Sequence, residues 1–133
     1  FQELLKPDNQ EVTCAIYRTK SGEVHYLITK ELSGDVTGWA EVIADPQVLE
    51  ICAKIADAIE LNGSMNIQMR LTSSGPRIFE INPRFSSTVL MRHRLGFCDL
   101  LWSLDELRGV PLSFPKIHAG RKLVLTHDAV EME

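Results

Sequence analysis

The sequence predicts an α+β domain, an antiparallel β-sheet with helices packed on one face, and three observations predict it. Residues 12–18 and 23–30 alternate in hydropathy, with Val12, Cys14 and Ile16 on one parity and Val24, Tyr26 and Ile28 on the same parity. Residues 64–72 and 76–84 form a second alternating pair, apolar at Met65, Ile67, Met69, Leu71, Phe79 and Ile81 and polar at Asn66, Gln68, Arg70, Glu80, Asn82 and Arg84. Between the two pairs, residues 46–61 repeat apolar side chains at three- and four-residue spacing, the mark of an amphipathic helix.

Taken in order, the first pair is a hairpin. Lys20-Ser21-Gly22 suits a short loop with Gly in the left-handed position, which sets Ile16 opposite Tyr26 and Cys14 opposite Ile28. After a Gly-containing stretch at residues 33–44, Asp45 caps the helix and Pro46 sits in its first turn, where its missing N–H is harmless. Val48, Ile51, Cys52, Ile55, Ala58 and Ile59 make the apolar stripe, and Asn62-Gly63 is the expected stop. The second hairpin turns through Ser73-Ser74-Gly75, with Thr72 expected to face Pro76. A short irregular or helical piece then ends near Gly96, a helix covers residues 99–108 and closes at Gly109, and an apolar strand covers 122–126.

The bulk properties narrow the function. A chain of 133 residues with 44% apolar and 24% charged residues is sized for a single domain, 1–133. Its first residue is Phe1, and the reading favoured is a piece of something larger. The formal charge of -4, from 14 basic and 18 acidic residues, leaves no electrostatic footprint for nucleic acid or an anionic membrane. Cys14, Cys52 and Cys98 are far apart and in apolar surroundings, which reads as small buried hydrophobes in a reducing compartment. No apolar run is long enough to span a bilayer, so the cytoplasm is the expected location.

The chemistry concentrates on the second hairpin. A loop with Gly75 left-handed brings Gln68 opposite Glu80, and paired residues of an antiparallel ladder have Cβ atoms roughly 5 Å apart. Asn82 is one pleat further on the same face. Three oxygen-bearing side chains thus converge, flanked by Arg70 and Arg84. One carboxylate with amide oxygens suits Mg²⁺ bridging nucleotide phosphates, because Mg²⁺ takes few protein carboxylates and completes its octahedron with phosphate and water.

The run FEINPRFSS at residues 79–87, preceded by GSMNIQMR at 63–70, resembles the paired metal-binding strands of ATP-grasp enzymes, especially the carbamoyl-phosphate synthase large chain-like branch, where a Gln replaces the acidic residue on the first strand. The resemblance extends over most of the chain and identifies it with the C-terminal half of an ATP-grasp domain. The N-terminal lobe and the domain before it are not in the sequence, so the piece alone is expected to be inactive. The resemblance implies Glu80 and Asn82 as Mg²⁺ ligands (Mn²⁺ as a substitute), Gln68 as a ligand of a second ion, and Arg84 as the catalytic contact to the transferred phosphoryl group. For ATP it implies Gln68, Arg70 and Glu80 beside the phosphates, a hinge strand at residues 1–5 whose backbone, with Glu3 and Leu5, reads the adenine edge, and Glu11 on the ribose. Ser86, Ser87, Thr88 and Arg92 match positions near the second substrate. The implied reaction is ligation of a small-molecule carboxylate to an amine or other nucleophile through an acyl phosphate.

Plainer readings compete with each of these. Glu80 and Asn82 also suit a solvated sheet face ending in an Asn-Pro turn, Arg84 suits an ion pair with Glu80, and Arg70 suits a plain ion pair with a neighbouring carboxylate. His25, His93, His118 and His127 lack metal-ligand spacing, and Trp39 and Trp102 are core or interface aromatics. The competing class is a half-domain that keeps the fold as a non-catalytic nucleotide-binding or protein-interaction module. Apolar surface left by the absent lobe makes a homo-oligomer a further expectation.

Overall fold

The computed structural model describes residues 3–6, 10–31 and 39–124. Within them the chain forms β1 (Glu11–Arg18), β2 (Val24–Glu31), β3 (Trp39–Val42), α1 (Pro46–Ala58), β4 (Gly63–Thr72), β5 (Gly75–Asn82), α2 (Val89–Leu95), α3 (Asp99–Arg108) and β6 (Lys122–Val124). The strands make one sheet in the order β5-β4-β1-β2-β3-β6, and every pairing is antiparallel. The α+β class holds.

The first hairpin has the expected register, Ile16 against Tyr26 and Cys14 against Ile28. Gly22, at φ 93°, closes it with hydrogen bonds between Thr19 and both Glu23 and Gly22. In α1, Asp45 accepts from Gln47 N at 3.0 Å and Val48 N at 3.1 Å, which satisfies two of the orphan donors at the helix start. Val48, Cys52 and Ala56, four residues apart, are fully buried against Val12, Cys14, Ile16, Met65, Ile67 and Met69. Each large side chain in that layer contributes about 1.5–3 kcal/mol by leaving water.

The helices divide between the two sheet faces instead of gathering on one. α1 covers the face of Cys14 and Ile16, while Ala15, Tyr17, Leu27 and Val42 on the other face pack with Leu95, Phe97 and Trp102 of the α2–α3 region. The reason lies in the composition of β1: it is central in the sheet and its residues 14–17 are apolar on both parities, so that part of it is buried from both sides.

Four local readings are corrected. α1 stops at Ala58, with Glu60 left-handed at φ 49° and Leu61 N bonded to Ala56 O, before Asn62-Gly63 is reached. β3 lies inside the stretch expected to be irregular, held between β2 and β6. The second hairpin pairs Thr72 with Gly75, one residue tighter than expected, and a bulge between Gln68 and Met69 restores the offset. Phe79 is the extra residue; Ile78 takes its place against the core, Phe79 lies beneath Arg70, and Ile81 is 45% exposed.

Of the expected hinge strand, residues 3–5 have no regular structure, while Phe1 and Gln2 lie outside the described residues, as do the last two residues of the strand expected at 122–126.

Candidate functional site

One half of the sheet face that carries Ala15 and Tyr17 is covered by α2 and α3; the other half is open and polar. The open half is the floor of a cleft of about 290 Å³, walled by the segment from Arg84 to Leu95. Strand alternation builds the floor. Glu11 and Thr13 come from β1, Thr29 and Glu31 from β2, Asn66 and Gln68 from β4, and Glu80 and Asn82 from β5.

Gln68 is paired with Glu80, and Asn66 with Asn82. Asn82 donates from Nδ2 to Glu80 Oε1 at 2.8 Å, so the amide and the carboxylate are already held together. Arg84 lines the same cleft, and its Nη1 donates to the Phe85 carbonyl at 3.0 Å. Among the described residues no ion pair joins Arg84 to Glu80. Arg84 N bonds to Asn82 O in a tight turn after β5, and the residues that follow, Ser86, Ser87 and Thr88, line the cleft.

Arg70 and Leu5 are tied to each other: Arg70 Nη1 donates to Leu5 O at 2.9 Å, Nη2 reaches Glu11 Oε2 at 3.3 Å, and the guanidinium lies 5.4 Å over the Phe79 ring. Arg70 is thus a strut that fastens the segment before β1 to the cleft rim. Glu11 both accepts from that strut and lines the cleft. Glu3 is exposed and, like Leu5, is not part of the cleft lining.

Glu31 was not singled out by the sequence. It lies beside Glu11, and burial first and the Glu11 charge second push its carboxyl above the ordinary range. The signal was present in the hairpin register, since one step beyond the Val12–Lys30 pair the same ladder brings Glu11 to Glu31. Thr13 and Thr29, which pair with each other, also line the floor and were not singled out by the sequence.

On the wall, Ser86 and Thr88 share a 2.9 Å hydroxyl contact at the entry to α2. Arg92 is 2% exposed and sits 3.9 Å from the fully buried Asp99. Burial lowers its pKa to about 10, with Asp99 opposing the shift, so it is charged at neutral pH. Neither Arg92 Nη1 nor Nη2 has a hydrogen-bond partner, and Asn66 Oδ1 has none either.

Among the described residues no group of three or more His, Cys, Asp or Glu side chains is placed to hold a metal ion. A protein-only cation cage is therefore not what this face offers. One carboxylate and two amides on adjoining strands fit a hard cation that takes its remaining ligands from phosphate and water. Among the described residues no helix is long and apolar enough to cross a membrane.

Comparisons with known proteins bear on the family and the fold. The profile of a family described as "ATP-grasp in the biosynthetic pathway with Ter operon" matches residues 3–123. A search of curated proteins finds no match. Among solved structures, the chain is similar to the phosphoribosylaminoimidazole carboxylase ATPase subunit from Aquifex aeolicus, with 17% identity and a TM-score of 0.66 over 84% of this chain and 36% of that one. It is similar to a biotin carboxylase from Campylobacter jejuni in a β-γ-ATP complex, with 13% identity and a TM-score of 0.65 over 90% of this chain and 30% of that one. A third is the biotin carboxylase domain of the Hydrogenobacter thermophilus 2-oxoglutarate carboxylase in complex with MgADP and bicarbonate, with 13% identity, a TM-score of 0.59 and coverage of 84% and 28%. At these identities the likeness establishes the fold, and the chain spans roughly a third of the length of the structures it matches.

Proposed function

Because the chain belongs to the ATP-grasp family, in the group described as acting in the biosynthetic pathway with the Ter operon, we propose that its polar sheet face is the Mg·ATP-holding part of an ATP-dependent carboxylate ligase. The observation that carries this reading is the convergence of Gln68, Glu80 and Asn82 from β4 and β5 onto one cleft floor. The MgADP complex among the solved structures of this fold supports the choice of ligand. The carbamoyl-phosphate synthase-like character rests on Gln68 standing where an acidic residue is otherwise expected.

In this proposal residues 1–133 are the C-terminal part of an ATP-grasp domain, completed by an N-terminal lobe, and inactive without it. Glu80 and Asn82 hold Mg²⁺, or Mn²⁺ in its place, and Gln68 reaches a second ion. When bound, Mg²⁺ supplies positive charge against the phosphate oxygens. The nucleotide lies along the floor toward Glu11, which takes a ribose hydroxyl, with Arg70 bracing Glu11 and the backbone near Glu3 and Leu5 at the base. Arg84 swings its guanidinium from the Phe85 carbonyl to the phosphoryl group being transferred.

The chemistry is positioning and charge neutralisation. An oxygen of the substrate carboxylate attacks the γ-phosphorus, the bond to the bridging oxygen breaks, and ADP leaves with that electron pair. An amine or similar nucleophile then attacks the acyl carbon, the bond to the phosphate oxygen breaks, and inorganic phosphate leaves with that electron pair as the nucleophile gives up a proton. The residues of this chain bind and orient; the wall from Arg84 to Leu95 excludes water from one side of the cleft.

The test is calorimetry of Mg·ATP binding to the full-length protein, with Glu80→Ala and Asn82→Ala beside wild type. Loss of Mg²⁺-dependent binding in both variants is the expected result, while unchanged binding would favour an interaction module that keeps only the fold.

A further inference from the structure

We infer that Asn66 is a positioning residue for Arg84: its buried amide holds the backbone from which the guanidinium is presented to the cleft. This role rests on reading Arg84 as the contact to the transferred phosphoryl group, and it adds the residue that keeps that contact in place.

Asn66 lies on β4, 3% exposed, and the last rung of the β4–β5 ladder is its own pairing with Asn82. Beyond that rung the chain reaches Pro83, which has no N–H to extend the ladder. The Asn66 side chain takes over where the backbone stops: its Nδ2 donates to the carbonyl of Arg84 at 2.8 Å. The Arg84 N–H is held as well, by Asn82 O at 2.9 Å. Both backbone groups of Arg84 are therefore bonded, although the residue itself is exposed. The side chain moves on that fixed base. Its Nη1 donates to the carbonyl of the next residue, Phe85, at 3.0 Å, a bond that a change of rotamer exchanges without moving the chain.

Stability alone is a poor account of this amide. Asn is depleted in strands, burying an amide costs free energy that one hydrogen bond only offsets, and the Asn66 Oδ1 has no donor. What the bond fixes is a spacing. Glu80 and Asn82, the proposed metal ligands, stand on the same ladder, so Asn66 joins Arg84 to the rigid strands that carry them. A cation and a guanidinium that share one phosphate must keep a constant separation, and a misplacement of about 1 Å costs up to about 100-fold in rate.

The experiment uses the full-length protein, with Mg·ADP and the magnesium complex of the non-hydrolysable β,γ-imido analogue of ATP as probes in calorimetry. Wild type is compared with Asn66→Leu, Asn66→Thr, Arg84→Ala and the double variant Asn66→Leu/Arg84→Ala. Leu keeps nearly the shape of Asn without the amide, and Thr suits a strand but lacks the reach, so one folded variant of the two suffices. Wild type is expected to bind the triphosphate more tightly than the diphosphate, and Arg84→Ala to narrow that preference about tenfold or more, the worth of a charge-assisted hydrogen bond. Each Asn66 variant narrows it about threefold to tenfold while Mg·ADP affinity stays within about twofold. The double variant is no worse than Arg84→Ala, because residues that act through one another are not additive. Hydrogen exchange without nucleotide quickens about fivefold over residues 83–88 in the Asn66 variants, the worth of one neutral hydrogen bond. A merely structural Asn66 would weaken both nucleotides alike and add to Arg84→Ala; either result overturns the inference, as do Asn66 variants that keep the preference or leave exchange over 83–88 unchanged. If wild type binds neither nucleotide, or Arg84→Ala keeps the preference, the reading of Arg84 itself falls and the role of Asn66 falls with it.

Discussion

Gln68 faces Glu80 across the β4–β5 ladder because Phe79 is squeezed out of it as a bulge. The pairing puts an uncharged amide where a second acid would sit about 5 Å from the first. Gln68→Glu is therefore expected to lower stability by about 0.2–1 kcal/mol without divalent cation, the cost of like charges directly opposed. Millimolar Mg²⁺ should close the gap. Thermal melts of both proteins with and without Mg²⁺ measure this, and a gap that Mg²⁺ leaves open would count against a cation at this face.

The two ends of α1 respond in opposite directions. Asp45→Ala removes the acceptor of two backbone N–H groups and should cost about 0.5–2 kcal/mol. Glu60→Gly relieves a left-handed residue whose conformation costs an L-amino acid roughly 1–2 kcal/mol, offset in part by the freer unfolded chain. Urea denaturation should show a lower midpoint for the first and a midpoint equal to or above wild type for the second.

Thiol chemistry should follow burial. Cys14 is fully buried, and the neighbouring Cys52 thiol, then burial, hold its pKa well above the ordinary range. Cys98 is only partly buried, with its pKa raised by burial and then by Asp99. Iodoacetamide at pH 8, followed by mass spectrometry, is expected to label Cys98 slowly and Cys14 and Cys52 only after unfolding. Fast labelling of Cys14 in the folded protein would mean that the layer beneath α1 opens.

His25 sets part of the acid limit. It stacks on Phe114 with ring centres 3.4 Å apart, and burial lowers its pKa below 6.5, with Glu23 opposing. The folded state thus binds fewer protons than the unfolded one, and stability is present above the ordinary histidine range and lost as pH falls from about 6.5 toward the lowered value. His25→Gln should flatten the change in melting temperature between pH 7.5 and 5.5, whatever it does to the melting temperature itself.

Much of this was legible in the sequence, for reasons that differ from element to element. The β1–β2 register followed from a loop whose Gly22 must be left-handed, and the start of α1 followed from Asp45-Pro46; both signals are local. The pairing of Gln68 with Glu80 was read correctly although the turn assumed for it was not, because a tighter turn and a bulge cancel. The bulge itself moved Phe79 from the core to a place under Arg70, which strict alternation cannot show. The division of the helices between two faces was not read because the first hairpin was given one apolar face, although Ala15 and Tyr17 are apolar on the other parity. Arg92 was noticed only through a resemblance, since its burial depends on Asp99, seven residues away at the start of the next helix.

The strand order has a consequence for how the chain assembles. β1 and β2 are neighbours in sequence, as are β4 and β5, whereas β1 meets β4 through pairs such as Cys14 with Ile67. The two hairpins close locally and their docking carries the long-range entropy cost, so docking is the slow event. Glu11 and Thr13 belong to one hairpin, Gln68 and Glu80 to the other. A molecule bridging them has nowhere to bind until docking is complete, so it should leave the refolding rate unchanged and appear as slower unfolding.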